Sequence, residues 1–401
     1  MKAESHIVIV GAGIAGLTMA ALLAQSEPGE SFRITLLDAG TRPERPARSE
    51  LGLRVSAIAT GSSQLLAKTG AWSRVDMTRV VPYDAMRVWD ESSTADSGDA
   101  LRFDAAEFAE AQLGFIVENT MLQTALLDVL QAEDVELLFS APVADLQANA
   151  GSQRLMLEDG RKLEADLVIG ADGAHSRVRD CAGIDTSSWR YGQRAFVTHV
   201  ATEKPHQNTA WQRFLKTGPL GMLPLPDGRI SVVWSTSDEQ AQWALDASDS
   251  ELGQALGEAS DHVLGELTVA GPRGAFALQA QHARDYVKAG VALIGDAAHT
   301  IHPLAGQGAN LGLQDAACLA DVIVAAIQSG EYPGDRPVLR RYARARKGAN
   351  GTMMHFMTGL NRLFTTDSAL LKELLTTGMR LFNHSGPIRE HVVSVALGTR
   401  R

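Results

Sequence analysis

An apolar run that ends in glycines spaced G-x-G-x-x-G commits the front of this chain to one local fold. In HIVIVGAGIAGLTMAALLAQ, Ile7–Val10 are apolar and β-branched, the pattern of a buried parallel strand. Gly11, Gly13 and Gly16 follow, and Leu17, Ala20, Ala21 and Ala24 then recur at helical spacing. A second strand, in FRITLLDAG, ends at Asp38, 22 residues beyond Gly16. Gly11 permits the tight turn, Gly13 lets a pyrophosphate reach the backbone, and Gly16 lets the helix pack on its strand. The helix N-terminus then faces the phosphates. The loop Gly11-Ala12-Gly13-Ile14-Ala15-Gly16 is expected to hold a dinucleotide, with Asp38 accepting hydrogen bonds from a ribose diol. This motif leaves FAD and NAD both open.

Two later segments repeat the strand-then-glycine pattern. In LEADLVIGADGAHSRVR, Ala165–Ile169 read as a buried strand, Gly170–Gly173 as its turn, and Ser176, Arg177 and Arg179 follow. In GDAAHTIHPLAGQGANLGLQD, a strand over Val291–Ile294 ends at Gly295-Asp296, and a helix is expected from about Gly308 to Ile327. Glycine at this density costs backbone entropy. A Gly-Gln-Gly turn opening a helix presents free N–H groups that suit a partly negative ligand edge. Asp296 is placed to bind hydroxyls of a flavin's ribityl chain.

The three fingerprints, in this order and spacing, resemble the single-component FAD-dependent aromatic hydroxylases, of which para-hydroxybenzoate hydroxylase is the best known. HPLAGQGANLGLQD is similar to the ubiquinone-biosynthesis branch of that family. The resemblance extends over nearly the whole chain, through LRVSAIATGSSQLLAKTGAW, FIVENTMLQTAL and WQRFLKTGPLGMLPLPDGRISVVWS. It implies FAD on Gly11, Gly13 and Gly16, with the adenosine ribose on Asp38, where the family more often carries Glu. It implies that Arg54 reaches the FAD phosphates or the nicotinamide donor, and that Asn119 and Gln123 lie beside the cofactor chain. Val143 falls where a strand backbone meets the adenine, Asp172 in the family's D-G motif, and Asp296 on the ribityl chain. Pro303 packs beside the flavin, and Gly306, Gln307, Gly308, Ala309 and Asn310 surround its pyrimidine edge. Arg54, Pro303, Gly306 and Gln307 are the residues expected nearest the chemistry, without a side-chain base. Structural roles compete with some of these: Arg54 as a surface ion pair, Asn119 as a helix cap, His299 and His302 as hydrogen-bonding loop anchors, and Cys318 as a small buried hydrophobe.

The implied reaction carries its difficult step on the cofactor. NAD(P)H, docking transiently because there is no second G-x-G-x-x-G, or another reductant, reduces FAD. The reduced flavin takes O2 to a C4a-hydroperoxide, and its distal oxygen passes to a phenol ring. The implied substrate is a lipid-linked, prenylated phenol. No Ser-His-Asp set, carboxylate pair or metal cluster is legible in the sequence. A flavin-dependent reductase of a lipid-linked substrate and a mainly structural flavoprotein subunit of a quinone-biosynthesis complex stay open as other readings. A flavin halogenase is disfavoured by the absence of W-x-W.

The expected fold is α/β with α+β character: a Rossmann-like FAD domain over about 1–79, 113–190 and 275–345, and a mostly antiparallel substrate sheet over 80–112 and 191–274. AMRVWDESS, RAFVTHVATEK, TAWQRFLKTG and RISVVWSTS are its strands, and Gly218–Leu225 a candidate substrate-facing one. Trp211 and Phe214 line the site or fill the core. A helical tail covers 346–401, with Met353, Met354, Phe356, Met357, Leu360, Leu363 and Phe364 at helical spacing from Ala349 onward. Packing on the FAD domain, a subunit or complex interface, and a peripheral membrane contact are all open to it.

Composition limits the partners. The formal charge is −10, from 37 Lys and Arg against 47 Asp and Glu among 401 residues, and no Lys/Arg block stands out, so nucleic acid is an unsuitable partner. Cys181 and Cys318 make no C-x-x-C pair and fit a reducing compartment. A first strand near His6 leaves no room for a leader peptide, and no run of 18 apolar residues occurs. A cytoplasmic protein is expected, with the inner face of the membrane open as a peripheral location.

Overall fold

The computed structural model describes residues 5–26, 32–47, 50–149, 151–301, 307–364, 377–379, 381–382 and 385–398. Its first layer is a six-stranded sheet, ordered Val287–Lys288, Val291–Leu293, Leu167–Gly170, Ser5–Val10, Phe32–Leu37, Val135–Leu138. All neighbours are parallel except the first pair. Ile7, Val8 and Ile9 are wholly buried, as a central parallel strand covered on both faces requires. Helices Ile14–Ala24, Asn119–Leu130 and Gln307–Gln328 pack together on this core. Gln307–Gln328 is long and apolar enough to cross a membrane, but most of its apolar window is buried inside the protein, as in a core helix.

The expected strand over Ala165–Ile169 is two strands. Lys162–Ala165 belongs to an antiparallel three-stranded sheet with Ser152–Leu157 and Val143–Asn149, and Leu167–Gly170 to the parallel sheet. Asp166 makes the break: its backbone N–H donates to the His6 carbonyl, and its carboxylate accepts from the His6 N–H, both at 2.8 Å. That clamp turns the chain from one sheet into the next.

The second layer is a nine-stranded sheet. Its path is His299–Thr300, Gly274–Ala283, Thr186–Thr202, Ile230–Thr236, Gly218–Pro224, Thr209–Leu215, Ala85–Asp90, Leu101–Asp104, and Leu267–Val269 also pairs with Thr186–Thr202. Pairing is antiparallel except between Thr209–Leu215 and Ala85–Asp90. Thr186–Thr202 runs through position 190, and Gly274–Ala283 pairs along it, so this sheet takes in residues on both sides of the sequence-derived boundaries. Helices Asp238–Asp246 and Asp249–Ala259 cover one face, the second opened by a Ser248/Glu251 capping box.

The described part of the tail packs on the rest of the chain. Its helix starts at Arg336, thirteen residues before Ala349, and runs to Phe364. It is tied to the first layer by Tyr342, whose hydroxyl donates to the Leu293 carbonyl at 2.7 Å. Phe364 stacks on Phe214 with ring centroids 3.8 Å apart. In Pro387–Leu397, Val393 and Leu397 join a core cluster with Ala57, Val81, Tyr83 and Ile116. Phe356, Leu381, Val392 and Val395 remain exposed.

Candidate active site

Beyond the C-terminal ends of Ser5–Val10, Phe32–Leu37 and Leu167–Gly170 lies a cleft of about 650 Å³. Gly11, Gly13, Asp38, Gln123, Val143 and Asp172 line it together. This is where open α/β sheets bind ligands. Gly11 has φ +114°, and a Cβ there would overlap the Ala171 carbonyl. A Cβ on Gly16 would overlap the Gly11 carbonyl, which is the close helix–strand packing expected of it. Gly13 differs, because a Cβ there meets nothing within 4 Å; its space is the cleft. Helix Ile14–Ala24 begins at Gly13 without a side-chain cap and without an acid in its first turn. Its free N–H groups and positive dipole end therefore fit a pyrophosphate.

Polar side chains shape this cleft from within. Asp38 accepts from the Ala12 N–H at 2.6 Å with one oxygen and from the Gly40 N–H at 2.7 Å with the other. A carboxylate has about four acceptor sites, so capacity for a ribose diol remains. Gln123 donates to the Ala12 carbonyl at 3.0 Å and braces the glycine loop. Burial pushes the Asp172 carboxyl above its ordinary pKa, although Ser176 and the Val178 N–H both donate to it. Asn119 does not cap its helix. Glu118 holds the cap position, and the Asn119 side chain accepts from the Ser56 hydroxyl at 2.6 Å.

The third fingerprint joins the two layers. Val291–Leu293 lies in the parallel sheet, and six residues after Leu293 the chain re-emerges as His299–Thr300 on the edge of the antiparallel sheet, paired with Gln281 and His282. Between them Gly295, at φ +58°, turns the chain, and its N–H donates to Asp315. Asp315 is wholly buried and holds four partners: the Gly295 N–H, His299 Nε2 at 2.5 Å, Arg346 Nε at 2.7 Å and Asn350 Nδ2 at 3.0 Å. Burial alone would raise its pKa, but the charges and hydrogen bonds of His299 and Arg346 outweigh it and hold the carboxyl below the usual range. Since an ionised carboxylate only accepts, His299 carries its proton on Nε2. His299 is thus an anchor of the loop.

Asp296 is exposed, yet surrounding protein raises its pKa while the charges of His299 and Arg54 pull it down. Both observations fit a carboxylate at the rim of a cleft, open to solvent on one side. Arg54 is exposed, and its guanidinium lies 5.7 Å from the Phe276 ring centroid, within cation–π range. Arg54 thus lies against Phe276 of the antiparallel sheet and near enough to Asp296 for its charge to act on that carboxyl. Arg54 makes no ion pair shorter than 4 Å among the described residues. A buried pair positions its segment instead: Arg79 binds Glu118 through two nitrogens, at 2.7–2.8 Å, and also the carbonyls of Ala47 and Glu50, while Glu118 accepts from the Gly52 N–H.

Asn310 spends its side chain on the main chain: Oδ1 accepts from the Ala59 N–H at 2.9 Å, and Nδ2 donates to the Ala57 carbonyl at 2.8 Å. It pins the start of helix Gln307–Gln328 to strand Val55–Ala59, with Gly308 and Ala309 in the first turn. His302, Pro303 and Gly306 lie outside the described residues, as does the side chain of Gln307. Trp211 and Phe214 are core residues: Trp211 packs edge-on against the buried Trp89, and Phe214 against Phe364. On Gly218–Pro224, Leu220 and Met222 face the helix-covered core, whereas Leu223 joins the cluster under Val55–Ala59. Cys318 packs against the first core, and burial raises its thiol pKa.

Sequence reading missed Phe276, Arg79, Glu118, Asp315, Arg346 and Asn350. Asp315 carried a signal, as a lone acid amid the apolar positions Leu311, Leu313, Ala316 and Leu319. Its partners, 31 and 35 residues onward, carried none.

The FAD binding domain family matches residues 4–356. Over 395 residues the chain is 36% identical to the 3-demethoxyubiquinol 3-hydroxylase of Escherichia coli, spanning 98% of each chain. It is 35% identical over 400 residues to the ubiquinone hydroxylase UbiL of Rhodospirillum rubrum, covering 98% of this chain and 90% of that protein. With the human mitochondrial ubiquinone biosynthesis monooxygenase COQ6 it shares 33% over 438 residues, at 97% and 92% coverage. In fold it is similar to Pseudomonas putida p-nitrophenol 4-monooxygenase, with TM-score 0.78, 18% identity and full coverage of both chains. A likeness to Pseudomonas aeruginosa PqsL has TM-score 0.76 at 22% identity, over 94% of this chain and 99% of that one.

Proposed function

Because the chain belongs to the FAD-dependent hydroxylases of ubiquinone biosynthesis, we propose that it hydroxylates the aromatic ring of a prenylated phenol of that pathway. The observation that carries this is the third fingerprint's path. It leaves the parallel sheet at Leu293 and joins the antiparallel sheet at His299, and this supports a reading in which Asp296 stands between the cofactor and the substrate.

FAD, when bound, supplies the redox chemistry with O2, using electrons from NAD(P)H or another reductant. The uncapped helix at Gly13 holds its pyrophosphate, Asp38 its ribose and the Val143 strand its adenine. Asp172 and Gln123 shape the walls between. Asp296 binds the ribityl hydroxyls, and the N-terminus of Gln307–Gln328, fixed by Asn310, supports negative charge on the ring system. Arg54 and Phe276 stand at the entrance to the space between the layers. Apolar side chains on the facing sheet, among them Leu223, keep water from that space, and a dry site strengthens each electrostatic contact. The lipid tail of the substrate places the protein at the inner face of the membrane in this reading, with Phe356, Val392 and Val395 as apolar surface for that contact.

Deletion of the gene in its host tests the proposal. The expected result is loss of the quinone and accumulation of a less hydroxylated prenylphenol, identified by mass spectrometry. Unchanged quinone with no such intermediate would overturn it.

A further inference from the structure

We propose that the groove between helix Arg336–Phe364 and the segment from His282 to Val287 is a binding site for a phosphate-bearing ligand, separate from the FAD cleft. The inference does not rest on the assignment of the flavin site. The groove encloses about 670 Å³. Arg336, Arg340, Arg344 and Lys347 line one side, with His282 and His355, and Asp285 is the only acid among the described lining residues. No basic block stands out along the chain as a whole, but six of the twelve residues from Arg336 to Lys347 are Arg or Lys. The helix sorts them. Arg341 pairs with Glu331 and Arg346 with the buried Asp315, on other faces.

Arg336, Arg340 and Arg344 are exposed and have no ion-pair partner within 4 Å among the described residues. Their four-residue spacing lines them up over about 12 Å of helix. Like charges at this spacing destabilise a helix, and Arg336 stands in the first turn, where the macrodipole disfavours a cation. Three unpaired arginines therefore act against the helix that carries them, in a protein whose net charge is −10. A polyanion in the groove reverses both effects. Lys347 donates to the Arg284 carbonyl, which holds its charge at the groove wall. His282 donates to or accepts from the Tyr286 hydroxyl at 2.9 Å. Its pKa is lowered to about 4 by burial first, then by the charges of His299, Lys347 and His355, so the groove floor lies in a positive field. Gly348 and Gly351 line the floor: a Cβ on Gly348 meets nothing within 4 Å, and one on Gly351 would touch the His282 ring at 3.5 Å. Arginines on one face suit phosphate oxygens, which accept the guanidinium fork in pairs.

The source of the phosphate is either a soluble molecule or an anionic lipid headgroup, and one experiment separates them. Inorganic pyrophosphate is titrated calorimetrically into FAD-loaded protein, so that the Gly13 site is filled. The comparison is with Arg340→Glu/Arg344→Glu and with Lys68→Glu/Lys162→Glu, a pair of equal charge change on exposed sites elsewhere. Saturable binding that weakens by about tenfold or more in the arginine variant, and stays within about twofold in the lysine variant, is expected. Vesicles of phosphatidylcholine with and without phosphatidylglycerol are tested alongside. Binding to phosphatidylglycerol vesicles that pyrophosphate displaces, and that the arginine variant loses, assigns the headgroup; pyrophosphate binding without vesicle binding assigns a soluble phosphate. No saturable binding of either probe, or equal weakening in both variants, overturns the site.

Discussion

His299 Nε2 donates to Asp315 across 2.5 Å inside the core, where both side chains are essentially free of solvent. The pair sits directly behind the Gly295-Asp296 turn, and Asp315 also receives the Gly295 N–H. A buried carboxylate thus holds both ends of the turn that carries the rim carboxylate Asp296, through the Gly295 N–H on one side and His299 on the other. Removing the charge leaves the buried His299 and the partly buried Arg346 without their counter-ion. Asp315→Asn should therefore destabilise the fold by about 3–5 kcal/mol in urea unfolding and weaken FAD binding, measured by flavin fluorescence. Wild-type stability in the variant would contradict the role given to Asp315.

The Arg79–Glu118 pair is similarly buried, at 7% and 2% exposure. Its expected signature is asymmetry. Glu118→Ala alone should cost about 3–5 kcal/mol, whereas Arg79→Met with Glu118→Leu should recover a large part of that loss, because no charge is left unpaired. Equal stability of the single and double variants would show that the pair is not what holds Ala47, Glu50 and Gly52.

Two glycines of the first motif should separate stability from binding. Gly11→Ala forces a side chain onto φ +114° and into the Ala171 carbonyl, so folding itself should suffer. Gly13 has φ −72° and open space, so Gly13→Ala should leave urea stability within about 0.5 kcal/mol. It should still weaken FAD binding, since the new methyl occupies the cleft. Tight FAD binding by Gly13→Ala would remove Gly13 from the pyrophosphate site.

The pH dependence follows from His282. Its folded pKa of about 4 lies below the ordinary 6.5. Between those values the unfolded chain binds more protons, so its contribution to stability is full above 6.5 and is lost as pH falls toward 4. Asp172 and Asp296, whose pKa values are raised, act with the opposite sign above about pH 3.8 and are common to any pair of variants. His282→Gln should therefore show a shallower loss of stability than wild type between pH 6.5 and 4. Parallel profiles by urea titration would contradict this.

What could be read from the sequence was what repeats locally. The three strand–glycine turns, the helix over Gln307–Gln328 and the strands around Gly218–Pro224 all follow from periodicity and backbone freedom. Residues whose role depends on distant partners were not legible. For Asn310, nothing local showed that its side chain ties a helix to strand Val55–Ala59, more than 250 residues earlier. Trp211 and Phe214 alternate in and out of a strand in a way that sequence alone does not orient, and their packing against Trp89 and Phe364 decides it. The helical start at Arg336 was hidden because charged residues on its exposed face masked the apolar stripe of Val338, Leu339 and Tyr342.

The central claim is oxygen transfer by this chain to a phenolic ring. The direct measurement is a single turnover: FAD-loaded protein is photoreduced without oxygen, mixed with a prenylphenol in detergent micelles, and exposed to 18O2. Because the flavin is reduced by light, the result is independent of the natural electron donor. The account predicts a ring-hydroxylated product carrying one 18O atom, seen by mass spectrometry. A product that gains hydrogen without 18O, or reoxidation of the flavin with unchanged phenol, would contradict it.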